Sequence, residues 1–238
     1  MAILPRGPRP ADGTRSWDEL DSAILLGFVV DEKSLSPAKR KTAAARLRAS
    51  AYAVDRWMSD GTQSSHADIA SAVEMSGRWL SSQFPRKNEL YAFPPAEMAR
   101  SCALLSGASS SHEWDDIAQL VRPAFTLLQA NPTGKELMAG LVRLHRVYPE
   151  LGEADAVFSL TLREELRERR SDRTLSIVEL FACGVRLAFQ DWVDAGEPDL
   201  EFVADRVTAF VNGPVRRAYD ALLELPGPEP RSFSLRIP

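Results

Sequence analysis

The sequence predicts an all-α fold, a tri-helical head followed by a larger helical body, and two observations carry this. Apolar residues recur at helical spacing through segments of about 12 to 22 residues, separated by breakers. No stretch alternates apolar and polar residues with the period of two that a half-buried strand needs, and no hairpin dipeptide joins such stretches. The breakers beyond Pro94-Pro95 are Gly107–Ser111, Asn131-Pro132, Pro149, Ser171-Asp172, Gly196–Pro198 and Gly213-Pro214.

Residues 1–37 read as an N-terminal extension. Its first 16 residues hold three prolines and two glycines, too few apolar groups to order themselves. From Ser16, an N-cap with Glu19 three residues on, a short amphipathic helix is expected over Trp17–Val30, with Leu20, Ile24 and Phe28 in one stripe. That stripe is costly to expose, so the helix should pack on the body or a partner. Ser34–Pro37 breaks the chain. A long helix then runs from Ala38 to about Asp60, basic at its start, and Gly61 closes it.

Two short helices follow in Ser64–Leu90, SSHADIASAVEMSGRWLSSQFPRKNEL. Ser65 with Asp68 makes a capping box for the first, whose apolar face is Ile69, Ala70 and Val73. After a turn at Glu74–Met75, Ser76 caps the second, which points Leu80 and Phe84 inward until Pro85 stops it. Two short helices joined by a tight turn and packed on a longer one form a tri-helical helix-turn-helix. Gly77, Arg78, Ser81 and Ser82 then face outward, where they can enter a major groove.

Charge agrees with this placement. The chain carries a formal net charge of -4, yet residues 39–100 hold ten Lys/Arg against six Asp/Glu, while residues 101–238 sum to -6. A basic head on an acidic body implies that only the head meets an anionic partner. Cys102 and Cys183 lie far apart within apolar helical patterns and read as buried free thiols of a reducing compartment. The longest apolar run, Ala23–Val30, is too short to span a bilayer, and Asp18, Glu19 and Asp21 before it are the wrong charge for a leader. A cytoplasmic protein with no membrane partner is expected.

Ser64–Leu90 resembles the tetracycline-repressor (TetR) family. Ser65, Ile69, Ala70, Met75, Ser76, Leu80, Phe84, Lys87 and Leu90 match that family's head pattern in register. Ala53 and Trp57 fall where the family has alanine and phenylalanine. The likeness extends more weakly to Thr174–Phe210, which is similar to the last two, dimer-forming helices. The resemblance implies a ligand-responsive DNA-binding transcriptional regulator, a repressor that binds a palindromic operator as a homodimer. Double-stranded DNA, a second copy of the chain and a small apolar ligand of unknown identity would be its partners, and no cofactor is implied. It further implies DNA contacts from Ser65, Ser76, Gly77, Arg78, Trp79, Ser81, Ser82 and Gln83, with phosphates met by Lys39, Arg40, Lys41 and Lys87. Some positions depart from the pattern. Glu74 replaces the turn glycine, Trp79 a phosphate-touching threonine, and Ser81 a tyrosine, while Gln83 stands for a histidine or tyrosine. These departures thin the contact set. The alternative is therefore a helical ligand- or protein-binding regulator whose head no longer binds DNA.

The head is expected over 38–92, the ligand-binding and dimerising body over 93–225, and a flexible tail over 226–238, which holds four prolines. In the body, Pro123 should kink its helix. Thr174–Val193 carries two apolar stripes, Val178, Ala182, Val185, Phe189 and Trp192 in one, and Ile177, Phe181, Gly184 and Ala188 in the other. A helix apolar on two sides must be covered on both. With Val203, Val207 and Phe210 of the next helix, the first stripe is expected to form the dimer interface. An apolar pocket is expected among residues 95–193, lined by Phe125, Leu128, Phe158, Leu162, Phe181 and Val185. His66, His112 and His145 stand apart with no ligands at metal spacing, and no nucleophile elbow, phosphate loop or catalytic carboxylate pair is present. Neither a metal site nor catalysis is expected.

Overall fold

The computed structural model of the chain describes residues 24, 25, 28, 35–106, 121–148, 151, 153–167, 175 and 177–224, and every regular element among them is helical. Helix α1 (Pro37–Asp60) starts where the Ser36 hydroxyl accepts the Lys39 amide at 3.4 Å. Pro37 opens this helix rather than breaking the chain before it, because a first-turn residue has no intrahelical N–H bond to lose. Gly61, at φ 68°, ends it by donating its N–H to the Trp57 carbonyl. Alanines 44, 49, 51 and 53 are wholly buried and let neighbouring helices approach closely.

The two short helices of the head are α2 (His66–Ala72) and α3 (Gly77–Gln83). The body comprises α4 (Glu89–Ser106), α5 (Arg122–Gln129), α6 (Pro132–Val147), α7 (Glu153–Leu166), α8 (Val178–Asp194), α9 (Glu201–Phe210) and α10 (Arg216–Glu224). Helix α4 packs along α7 and against α1, while α8 packs on α9, α7 and α6. Helix α4 also crosses the expected head–body boundary without interruption. Pro94 and Pro95 sit inside it, leaving the Leu90 and Tyr91 carbonyls without their usual amide partners.

Asn131-Pro132 separates two helices as the sequence expects, while Pro123 and Gly213-Pro214 behave differently. Pro123 lies in the first turn of α5 and starts that helix instead of kinking it, since α5 itself begins at Arg122. Asn131 caps α6 by accepting the Gly134 amide at 2.8 Å. Gly213-Pro214 does not separate α9 from α10. A five-residue π segment, Val211–Val215, joins them, and its wider turn takes in a proline ring that an α-turn would press on the Phe210 carbonyl.

Two aromatic groups anchor the core. Trp57 meets Tyr91 at 5.1 Å and Tyr148 at 4.6 Å between ring centroids, tying α1 to the body. Phe189 meets Phe125 edge-on at 5.3 Å and Trp192 at 5.8 Å. Ion pairs brace the end of α8: Arg146 binds both carboxylate oxygens of Asp194, at 2.6 and 2.8 Å, and Arg143 pairs with Glu197.

Most of the expected Trp17–Val30 helix lies outside the described residues, as does the 226–238 tail. Ile24, Leu25 and Phe28 are described, and each is buried. The Ser101 hydroxyl donates to the Phe28 carbonyl at 2.6 Å, and the Asn131 side-chain amide donates to the Ile24 carbonyl at 3.2 Å. This part of the extension is built into the body.

Candidate nucleic-acid interface and the cavity behind it

The head is assembled by short-range signals. Asp68 donates its amide to the Ser65 hydroxyl at 3.1 Å, and its carboxylate accepts that hydroxyl at 2.6 Å. The Ser65 hydroxyl and the Ser65 backbone N–H, both donating to that carboxylate, hold the Asp68 carboxyl below the usual carboxylate range. Helix α2 ends in a Schellman turn: Glu74 donates to the Ser71 carbonyl and Met75 to the Ala70 carbonyl. Glu74 occupies the left-handed position of that turn, at φ 57°, where glycine would be unstrained. Ser76 then caps α3 by accepting the Trp79 amide at 3.1 Å.

Helix α3 has one locked face and one free face. Leu80 and Phe84 are wholly buried. Gly77, Arg78, Ser81 and Ser82 are exposed, as are the caps Ser65 and Ser76. Ser82 spends its proton on the Trp79 carbonyl at 2.7 Å, leaving its oxygen as an acceptor for outside donors. Trp79 is half-buried and leans on the head core, so its ring braces α3. Gln83 is half-buried and reaches Ser82 at 3.5 Å. Among the described residues Arg78 has no ion pair, which leaves its guanidinium available to a partner. Lys39 and Lys41 are exposed at the start of α1, Arg40 is half-buried there, and Lys87 is half-buried after α3.

Arg46 was not singled out by the sequence, where it reads as one more charge on a basic helix. Its guanidinium lies 3.8 Å from the centre of the Phe93 ring and 5.1 Å from that of Phe84, and the two rings meet edge-on at 5.9 Å. Burial pulls the Arg46 guanidinium below its usual value, with Glu97 opposing that shift. The end of α3 is therefore clamped to α4 through three side chains. Two residues beyond Phe93, Pro95 lines a cavity.

That cavity, of about 460 Å³, lies among α4, α6, α7 and α8. Of the residues expected to line it, Phe158 and Val185 do so. Phe125, Leu128, Leu162 and Phe181 do not; they are buried in the core away from it. The sequence missed Met98 on α4 with Met138 and Leu141 on α6, because a lining position and a core position look alike along one helix. Cys183 is half-buried on the cavity wall rather than sealed in the core, whereas Cys102 is fully buried and burial pushes its thiol up to about 12.

The residues expected at a dimer interface are also placed otherwise. Val178, Ala182, Val185, Phe189, Trp192, Val203 and Val207 are buried within the single chain and have almost no surface to offer a partner. Ala182, Val185 and Phe189 line the cavity, and Trp192 donates its indole N–H to the Pro198 carbonyl at 2.8 Å. Phe210 is half-buried on α8: a Cβ on Gly184 would stand 2.3 Å from its ring. Both apolar stripes of α8 are thus covered by the chain's own helices. What α8 and α9 leave outside is Leu187, 40% exposed, with half-buried Leu180, Val193 and Phe202.

Among the described residues no group of histidine, cysteine and carboxylate side chains could hold a metal ion, and no helix is long and apolar enough to cross a membrane. No family model and no curated protein matches the sequence. The chain is similar to the solved structure of a TetR transcriptional regulator from Rhodococcus sp. RHA1. Sequence identity is 15%, the match covers 78% of this chain and 98% of that one, and the TM-score is 0.47.

Proposed function

We propose that this chain is a ligand-responsive, DNA-binding transcriptional regulator that represses by occupying a palindromic site as a homodimer. The observation that carries the reading is the free face of α3. A short helix pinned from behind by Leu80 and Phe84 presents Gly77, Arg78, Ser81 and Ser82 without obstruction. Small residues let the backbone approach base edges, and Arg78 supplies the fork that fits guanine. Lys39, Arg40, Lys41 and Lys87 would neutralise phosphates and position the head. Ser65, Ser76, Trp79 and Gln83 border that face and would complete the contact. The TetR-like pattern over Ser65–Leu90 supports the same reading.

The route from ligand to DNA runs through α4. Its Pro95 and Met98 line the cavity, while Phe93 rests on the end of α3. A ligand that fits one position of α4 better than another would shift the population of head positions. Two heads that must meet successive major grooves, about 34–36 Å apart, tolerate little such movement. On α8 and α9, exposed Leu187 and half-buried Leu180, Val193 and Phe202 would offer surface to the second copy.

The test is selection of genomic fragments by purified protein at moderate salt, followed by gel shift. Enrichment of a symmetric motif is expected. Thinning of the usual contact set favours a second reading, a helical binding protein with a silent head, since Arg78 is the only long donor on the free face of α3. A folded, dimeric protein that enriches no motif would establish that second reading instead.

A further inference from the structure

The cavity has two kinds of wall, and the inference they carry rests on the ligand-responsive reading above. Glu179, Cys183, Arg186 and Gln190 line it from α8. Their spacing of four, three and four residues returns to one side of a 3.6-residue helix, so they form a single polar ridge about 16 Å long. The other helices line the space mostly with apolar groups, interrupted by His145 and Ser159. Met98, Met138 and Phe158 stand on those walls, and Phe189 beside the ridge.

Three features narrow what fits. The charges on the ridge, Glu179 and Arg186, are opposite, so a ligand with net charge gains at one and loses at the other. Thioethers and aromatic rings favour an aromatic body over an aliphatic one. A wholly apolar solute would cover the half-buried Gln190 amide of the ridge without offering it a hydrogen bond. At interior packing density, about 460 Å³ accommodates on the order of 20 non-hydrogen atoms.

We propose that the cavity binds a neutral, hydroxylated aromatic molecule of that size, with its rings against Met98, Met138, Phe158 and Phe189 and its hydroxyls along the α8 ridge. Cys183 reports occupancy. It lies on the ridge, with Arg186 Nη2 donating to its sulfur at 3.6 Å, while Cys102 is buried and has a thiol pushed up to about 12. Iodoacetamide should therefore modify Cys183 selectively in the full chain, as peptide mass spectrometry would read.

The probes are dihydroxyflavone, unhydroxylated flavone and hexadecanoate. Saturating dihydroxyflavone is expected to slow Cys183 alkylation about tenfold or more, and to bind roughly 10- to 100-fold more tightly than flavone by calorimetry. Hexadecanoate should neither bind nor protect. Gln190→Ala should reduce the preference for dihydroxyflavone over flavone without moving the melting temperature. Ala182→Trp should abolish protection by filling the space. Equal protection by all three compounds, or preference for hexadecanoate, overturns the ligand class and leaves the ligand-responsive reading standing. No binding by dihydroxyflavone, with Cys183 reacting at an unprotected rate, overturns the proposal. Failure of the DNA reading registers separately, as loss of motif enrichment while dihydroxyflavone protection persists.

Discussion

In the head, α1 to α3 close around Leu47, Ile69, Leu80 and Phe84 until all four are wholly buried, and what α3 leaves outside is small or polar. In the body, helices of similar composition part around about 460 Å³ of space. The two regions use the same residue types for opposite purposes. A head that must hold α3 in one orientation gains from complete packing. Under the proposed function, a body that takes in a solute would leave its packing incomplete. The polar ridge on α8 offers water or solute a hydrogen-bonded place there.

The N-terminal extension sides with the body, and testing that should give the largest effect. Removing residues 1–33 takes away the buried Ile24, Leu25 and Phe28 and leaves the Ser101 and Asn131 side chains without their carbonyl partners. At about 1.5–3 kcal/mol for each large side chain, a loss of roughly 5 kcal/mol or more is expected in urea denaturation. An unchanged midpoint would detach the extension from the body.

A matched pair of truncations probes the packing contrast directly. Phe84→Ala is expected to cost about 3–5 kcal/mol, the usual figure for a filled core, and Phe158→Ala about half as much, because one side of that ring already faces open space. Equal costs in denaturant melts would mean that the body is packed as tightly as the head.

The α8–α9 crossing should be as intolerant as the head. Gly184→Ala puts a methyl group 2.3 Å from the Phe210 ring and should cost about 1–3 kcal/mol. Phe210→Ala in the same chain should recover part of that loss, a non-additivity that a double-mutant cycle measures. Strict additivity would show that the two residues do not press on each other.

On the head's free face, Arg78→Ala is expected to weaken operator binding by about 1–3 kcal/mol and to relax sequence preference, with the fold intact. Lys39→Ala should instead weaken binding to all sequences and lower its salt dependence. If gel shifts against scrambled sites fail to separate the two variants, Arg78 does not read bases.

The smallest effect compares the same turn in both regions. Glu74 and Gly196 each occupy the left-handed position of a Schellman turn, at φ 57° and 83°. Glu74→Gly should relieve strain and stabilise the head by up to about 1 kcal/mol, and Gly196→Ala should destabilise the body by a similar amount. Melting temperatures moving the same way in both variants would refute the strain argument.

What the sequence by itself determined is whatever depends on neighbours a few residues away. The Ser65–Asp68 capping box, the Ser76 cap and the turn at Glu74–Met75 are local, and each is where the sequence placed it, as is the helical character of the described body segments. Tertiary structure alone decided which apolar face meets what. Val185 and Phe181 look alike along α8, yet one lines the cavity and the other lies in the core. The first stripe of α8 reads as surface for a second copy, but α6, α7 and α9 of the same chain, with Phe125 of α5, cover it. Arg46 reads as a solvated charge until Phe84 and Phe93, 38 and 47 residues further on, close over it. Periodicity records that a face is buried, because burial follows mainly from the hydrophobicity of the residues that share the face. The partner depends on how helices cross, which is set by contacts between residues far apart in the chain.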